Sequence, residues 1–267
     1  MQKSKKDLTF PEDEPCRNCG AHLENRYCSN CGQDRLAGAR RSFGRMVMDI
    51  GSGVFAFDAK TWVTIRKLLL HPGFLSKEYV SGRVTSYTLP IKLFWMMVLV
   101  FTFIFSFHDT TPVVLTPRDA GQMEIITEEP LTQNNVISDF TQYLPYFMLL
   151  IIPIFTALLL LFFRREKFAF SEHLIFAVHL HTIFFLLFTI DIFVSYLFTS
   201  TPYFLLIMCL YSLLAAIRFY HTRKKRSVVW RMLLIVLLYL IVLLTLLLGV
   251  ALFFAWYYDL SAISVGT

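Results

Sequence analysis

The sequence predicts an all-α polytopic membrane protein with about five transmembrane helices, preceded by a small cysteine-bearing module and amphipathic helices. Three observations predict it: long continuous apolar runs, an uneven division of basic residues among the segments between them, and two paired cysteine motifs ahead of the first run. Hydrophobic residues make up 56% of the chain and charged residues 16%, with 27 Phe. A soluble domain of this length cannot hide that much apolar surface in one core.

Apolar runs of about 18 residues or more call for a bilayer. Five candidates occur, at Leu89–Phe107, Leu144–Phe163, Leu174–Phe198, Tyr203–Phe219 and Val228–Trp256. The second contains Pro153, which should kink the span rather than end it, because neighbouring helices can satisfy the freed backbone groups. The fifth exceeds what a typical bilayer core needs, so it should tilt or project. The first 40 residues are polar and lack the apolar stretch of a cleavable signal peptide.

The net charge of +6 follows the loops. Residues 1–92 hold 15 Lys and Arg, residues 164–167 hold three and residues 218–231 hold six, leaving only Arg118 of the 25. Arg118 sits in the 108–142 loop beside six acids, Asp109, Asp119, Glu124, Glu128, Glu129 and Asp139. Basic loops stay inside, and five alternating spans satisfy that rule throughout. The N-terminus is expected in the cytoplasm and the C-terminus, beyond Trp256, Tyr257 and Tyr258, outside. This distribution points to anionic lipid head groups and away from nucleic acid as the partner of the basic residues.

Four of the five cysteines form one pattern, Cys16-Arg-Asn-Cys19-Gly20 and Cys28-Ser-Asn-Cys31-Gly32. Two residues between paired cysteines let both thiolates reach one ion from a tight turn. A glycine suits the position after each turn, where positive φ is cheap. The compartment inferred from charge keeps thiols reduced, which disfavours disulfides. Residues 16–35 therefore read as a zinc ribbon with one structural zinc per chain, held by Cys16, Cys19, Cys28 and Cys31. Four thiolates close the shell and leave no position for substrate or water. Cys209 reads as a small buried apolar residue. Residues 1–15 read as a disordered tail.

Residues 42–88 read as amphipathic, interfacial cytoplasmic helices, one after Ser42, one at Ala59–Leu70 capped by Asp58, and one at Phe74–Val80. His71-Pro72-Gly73 separates the last two. Trp62, Ile65 and Leu69 share a face of the second helix, which also carries Lys60, Arg66 and Lys67. Such helices are expected on the anionic leaflet, on the ends of the spans, or on both. Residues 89–267 complete the chain as the transmembrane domain.

Phe57-Asp58-Ala59-Lys60, Thr64 to Gly73 and Glu78-Tyr79-Val80-Ser81-Gly82-Arg83, with Tyr87 and Pro90 following, resemble an uncharacterised bacterial membrane protein family, domain-of-unknown-function family 3667. Members join a CxxCG-type ribbon, as at Cys16–Gln33, to this motif and several spans. The resemblance is strongest over the N-terminal third and looser over the spans. It implies a bacterial inner-membrane location and no activity. His71 stands where many relatives would carry Arg or a similar polar residue.

The third run carries Glu172, His173, His179, His181 and Asp191. Ionisable groups in a span are costly and therefore candidates for function. At 100° per residue, His179 and His181 face nearly opposite ways, and Asp191 lies 120° round from His179, so one helix cannot present them all to one metal. They read either as interhelical hydrogen bonds, with Glu172 and His173 at the cytoplasmic interface, or as a polar intramembrane path. Two function classes follow. The leading one is a non-enzymatic scaffold, recruitment or sensing protein that meets an unidentified protein partner through its ribbon. The alternative is a small transporter or channel, which would need to form a homo-oligomer because no internal repeat is evident.

Overall fold

The computed structural model describes residues 15–35, 59–108, 114–117, 123–126, 150–197, 203–220 and 224–265, and these are mostly helical. The tail at 1–14 and the helix expected after Ser42, with the Asp58 cap, lie outside the described residues. α1 (Ala59–Leu70) and α2 (Phe74–Val80) precede α3 (Pro90–His108). α4 is described over Leu150–Phe162, runs through Pro153, and ends in a 3-10 turn at Arg164–Glu166. α5 (Phe170–Leu197), α6 (Phe204–Phe219) and α7 (Lys225–Val265) follow. Between α3 and α4, β1 (Val114–Pro117) pairs antiparallel with β2 (Met123–Ile126), Val114 opposite Ile126. This hairpin adds to the all-helical expectation. Val114, Thr116, Ile125 and Ile126 are β-branched and suit extended backbone.

Two helices, over Phe170–Val194 and Lys225–Val250, are long and apolar enough to cross a membrane. The apolar stretches Pro90–Phe105, Leu150–Phe162 and Phe204–Phe219 are shorter. α5 starts a turn earlier than the apolar run at Leu174 because Glu172 accepts a hydrogen bond from the Ala169 N–H at 2.6 Å. A carboxylate at the third position, reaching back over the helix start, satisfies a donor that the helix itself leaves open. α7 has 41 residues and begins and ends outside the apolar run read from sequence. Its length of about 60 Å is twice the hydrocarbon thickness.

α3 and α5 pack side by side. Phe94 meets the Phe185 ring edge-on at 5.8 Å, and Phe101 lies 6.3 Å from Phe188. α1 and α2 pack against α5, with Ser76 of α2 reaching His179.

α1 turns an unexpected face inward. Thr61, Thr64 and Leu68 are buried, whereas Trp62 is 71% exposed and Leu69 and Leu70 also face outward. Of the apolar face read from sequence, only Ile65 packs on the core. Hydroxyls are needed on the inner side: Thr88 donates its N–H to Thr64 Oγ1 at 3.0 Å, and Thr61 and Thr88 hydroxyls pair at 3.2 Å. The Tyr211 hydroxyl of α6 donates to the Leu68 carbonyl in the last turn of α1, where carbonyls lack helical partners. At Gly73, φ is +73° and the backbone lies directly against Ala215 of α6.

Candidate metal centre and its anchorage

Each cysteine pair sits in its own turn, and the two turns are built alike. In the first, the Gly20 N–H donates to the Cys16 carbonyl at 2.8 Å and the Cys16 N–H to Ala21 at 2.8 Å. In the second, Gly32 donates to Cys28 at 2.8 Å and Cys28 to Gln33 at 2.9 Å. Bridges Pro15–His22 and Tyr27–Asp34 brace them. Gly20 and Gly32 have φ of +77° and +71°, a conformation that a side chain would strain.

The turns bring all four sulfurs within 4.8 Å of one another. Cys16 and Cys31 Sγ are 3.6 Å apart, as are Cys19 and Cys28 Sγ. A tetrahedral ion with metal–sulfur bonds of about 2.3 Å needs sulfurs about 3.8 Å apart. The donor set thus fits a tetrahedral thiophilic cation with little rearrangement. As thiols the sulfurs are unequal: the Ala21 N–H holds Cys19 down to about 6, while burial pushes Cys31 up to about 11. The opposite signs belong to acids sharing one cluster, where the exposed Cys19 ionises first and the next sulfur loses its proton against that charge. A bound cation removes that conflict.

The centre is anchored to the helical body through Gln33, which is 3% exposed. Its Nε2 donates to the Gly82 carbonyl at 2.5 Å, and its Oε1 accepts the N–H of Val84 at 3.2 Å and of Thr85 at 3.3 Å. The Thr85 hydroxyl also donates to Oε1 at 3.3 Å, and the Ser86 hydroxyl donates to Asn18 Oδ1 at 2.9 Å. Asn18 lies between the first two cysteines and Gln33 directly follows Gly32, so both turns touch the same loop. That loop enters α3 and is held by the threonines of α1. Gln33 was legible only as the end of the ribbon motif; nothing in residues 82–86 marks them as its receptor.

The polar residues of α5 do not converge. His173 Nδ1 pairs with the Tyr220 hydroxyl at the end of α6 at 2.7 Å. His179 Nδ1 pairs with Ser76 Oγ of α2 at 3.0 Å. His181 Nδ1 lies 2.8 Å from the Ala177 carbonyl and its Nε2 2.8 Å from the Tyr239 hydroxyl of α7. Glu172 caps α5, and Asp191 is half-buried about 15 Å beyond His181 along the helix. Three buried histidines are thus joined to three different elements.

Fold and site together define a mostly helical chain with candidate membrane helices and a four-cysteine cluster, spaced to hold a metal, seated on the loop ahead of α3. Residues 58–102, covering α1, α2, the Gln33 receptor loop and most of α3, match the family described as Protein of unknown function (DUF3667). The cysteine cluster and α5 lie outside the matched segment. No curated protein and no solved structure matches the chain.

Proposed function

We propose that this chain is a five-span, non-enzymatic protein of the bacterial inner membrane, in which a structural zinc ribbon recruits or senses a cytoplasmic protein partner. The observation that carries the reading is the Gln33 anchorage. It joins a metal-dependent module to the loop that enters α3, so anything binding the ribbon acts directly on the helical body. Zinc suits the site because four thiolates at tetrahedral spacing favour it in a reducing compartment. The positive-inside distribution of basic residues supports putting the start of α5, with α1 and α2 packed on it, at the cytoplasmic face. There Trp62 and Leu70 would meet lipid, and Lys60, Arg66 and Lys67 anionic head groups. A transport path would need the α5 groups to share a route, and their separate hydrogen-bond partners give that alternative no support.

Gln33→Ala separates anchorage from metal binding. The variant should keep one equivalent of zinc, while amide exchange at Val84 and Thr85 rises about tenfold, the scale of a lost buried hydrogen-bond set. Unchanged exchange would detach the ribbon from this role.

Topology is checked with single cysteines introduced at Gln122 and Ser227 in a chain whose five native cysteines are replaced by serine. An impermeant maleimide should label Gln122→Cys in intact spheroplasts and Ser227→Cys only after lysis. The reverse pattern would invert the proposed orientation.

A further inference from the structure

The four sulfurs of the ribbon differ in access. Cys19 is exposed and Cys31 half-buried, whereas Cys16 and Cys28 are both buried. Sulfur contacts of 3.6 Å run between the two turns, Cys19 to Cys28 and Cys16 to Cys31. The sulfur that a solute reaches first therefore touches a buried sulfur of the other turn. Cys28 is also tied to the anchor. Its N–H donates to the Gln33 carbonyl at 2.9 Å, and the Gln33 side chain holds the Gly82 carbonyl and the N–H groups of Val84 and Thr85. One hydrogen bond thus separates Cys28 from the residue that seats the ribbon on the loop entering α3.

We infer that Cys19 is a modification site for hydroperoxides and that Cys28 resolves it, so that oxidation opens the metal centre and loosens the Gln33 anchor. The inference rests on the ribbon reading proposed above and gives that module a stimulus to sense.

A thiol that ligates a cation is held as the thiolate, which is the nucleophilic form. Cys19 Sγ attacks the terminal oxygen of the peroxide and the O–O bond breaks. The alkoxide or hydroxide that leaves takes a proton from solvent, and Cys19 becomes a sulfenic acid. Cys28 Sγ then attacks the Cys19 sulfur, the S–O bond breaks, and hydroxide departs as water with a second solvent proton. Two electrons pass from the sulfur pair to the peroxide. The product disulfide removes two of the four ligands, and Cys16 and Cys31 alone do not close a tetrahedral shell. Forming it brings the two sulfurs from 3.6 Å to about 2 Å, which displaces Cys28 relative to Gln33. Val84 and Thr85 then lose a fixed acceptor.

The test uses the full chain carrying Cys209→Ser, purified anaerobically in detergent and treated with rising amounts of hydrogen peroxide. Peptide mapping should find the Cys19–Cys28 disulfide first. A chromogenic chelator should record about one zinc released per peroxide consumed, because one disulfide removes half of a four-thiolate shell. Amide exchange at Val84 and Thr85 should rise about tenfold, and fall again after reduction by a phosphine and return of zinc. First disulfides within the pairs, Cys16–Cys19 or Cys28–Cys31, would overturn the inference, as would zinc release that leaves Val84 and Thr85 unchanged. Cys19→His retains a three-cysteine, one-histidine donor set without the exposed sulfur, so peroxide should strip its zinc at about one-tenth the rate or less. Equal rates would count against Cys19 as the point of attack. If that variant binds no metal, the disulfide mapping decides alone. Zinc content before oxidation keeps the two readings apart: a chain purified without metal refutes the structural zinc, and a loaded chain that forms the wrong disulfide refutes only the peroxide response.

Discussion

Gly73→Ala should lower the stability of the helical body by about 2–5 kcal/mol, combining a left-handed residue with overpacking. The backbone at Gly73 has φ of +73°, and a Cβ there would overlap the Ala215 backbone of α6. Backbone cannot rotate out of the way as a side-chain tip can. The α1–α2 turn would therefore have to lift from α6, taking with it the Tyr211 bond to Leu68 and the Ser76 pair with His179. Gly249→Ala is the control, since nothing lies within 4 Å of its new methyl and the residue is helical. That change should be neutral or stabilise slightly. Thermal unfolding in detergent compares the two, and a Gly73→Ala midpoint equal to that of Gly249→Ala would show that the close approach is not required.

Cys19→Ser should empty the metal centre and unfold the ribbon while the helices persist. The buried apolar residues of the ribbon are Cys16, Leu23 and Cys28, too few to fold it alone. Metal binding supplies about 10–16 kcal/mol in comparable thiolate peptides, so a bound ion would be the main source of ribbon stability. A serine hydroxyl does not ionise as a thiol does, which leaves three ligands and an open position. Elemental analysis of anaerobically purified protein should fall from about one zinc per chain, the four-thiolate stoichiometry, toward zero. Fast exchange should spread across the amides of Gly20, Cys28 and Gly32, and through Gln33 to Val84 and Thr85. Full metal retention in this variant would refute the assignment of Cys19.

Features carried by neighbouring residues were legible before any coordinates. The paired CxxCG turns are local, because two residues between cysteines and a glycine after them dictate the geometry on the spot. The helices at Ala59–Leu70 and Phe74–Val80 were likewise readable, since His71-Pro72-Gly73 interrupts one helix and permits the next. The opposite facing of His179 and His181 follows from helix pitch, and their bonds to α2 and α7 lie in those directions.

Sequence by itself therefore determined the apolar composition, the cysteine cluster and the local helix breaks, all set by residues a few positions apart. Only the tertiary structure decided where those pieces meet. Gln33 meets Gly82 across 49 residues, Ser76 meets His179 across 103 and Tyr211 meets Leu68 across 143. It also turned Thr61 and Thr64 of α1 inward and Trp62 outward, against the hydrophobic reading. Which face of a helix is buried depends on what the neighbour offers. Here the neighbour is a loop whose amides and hydroxyls need oxygen partners, and leaving them unpaired would cost more than exposing one indole to lipid or solvent.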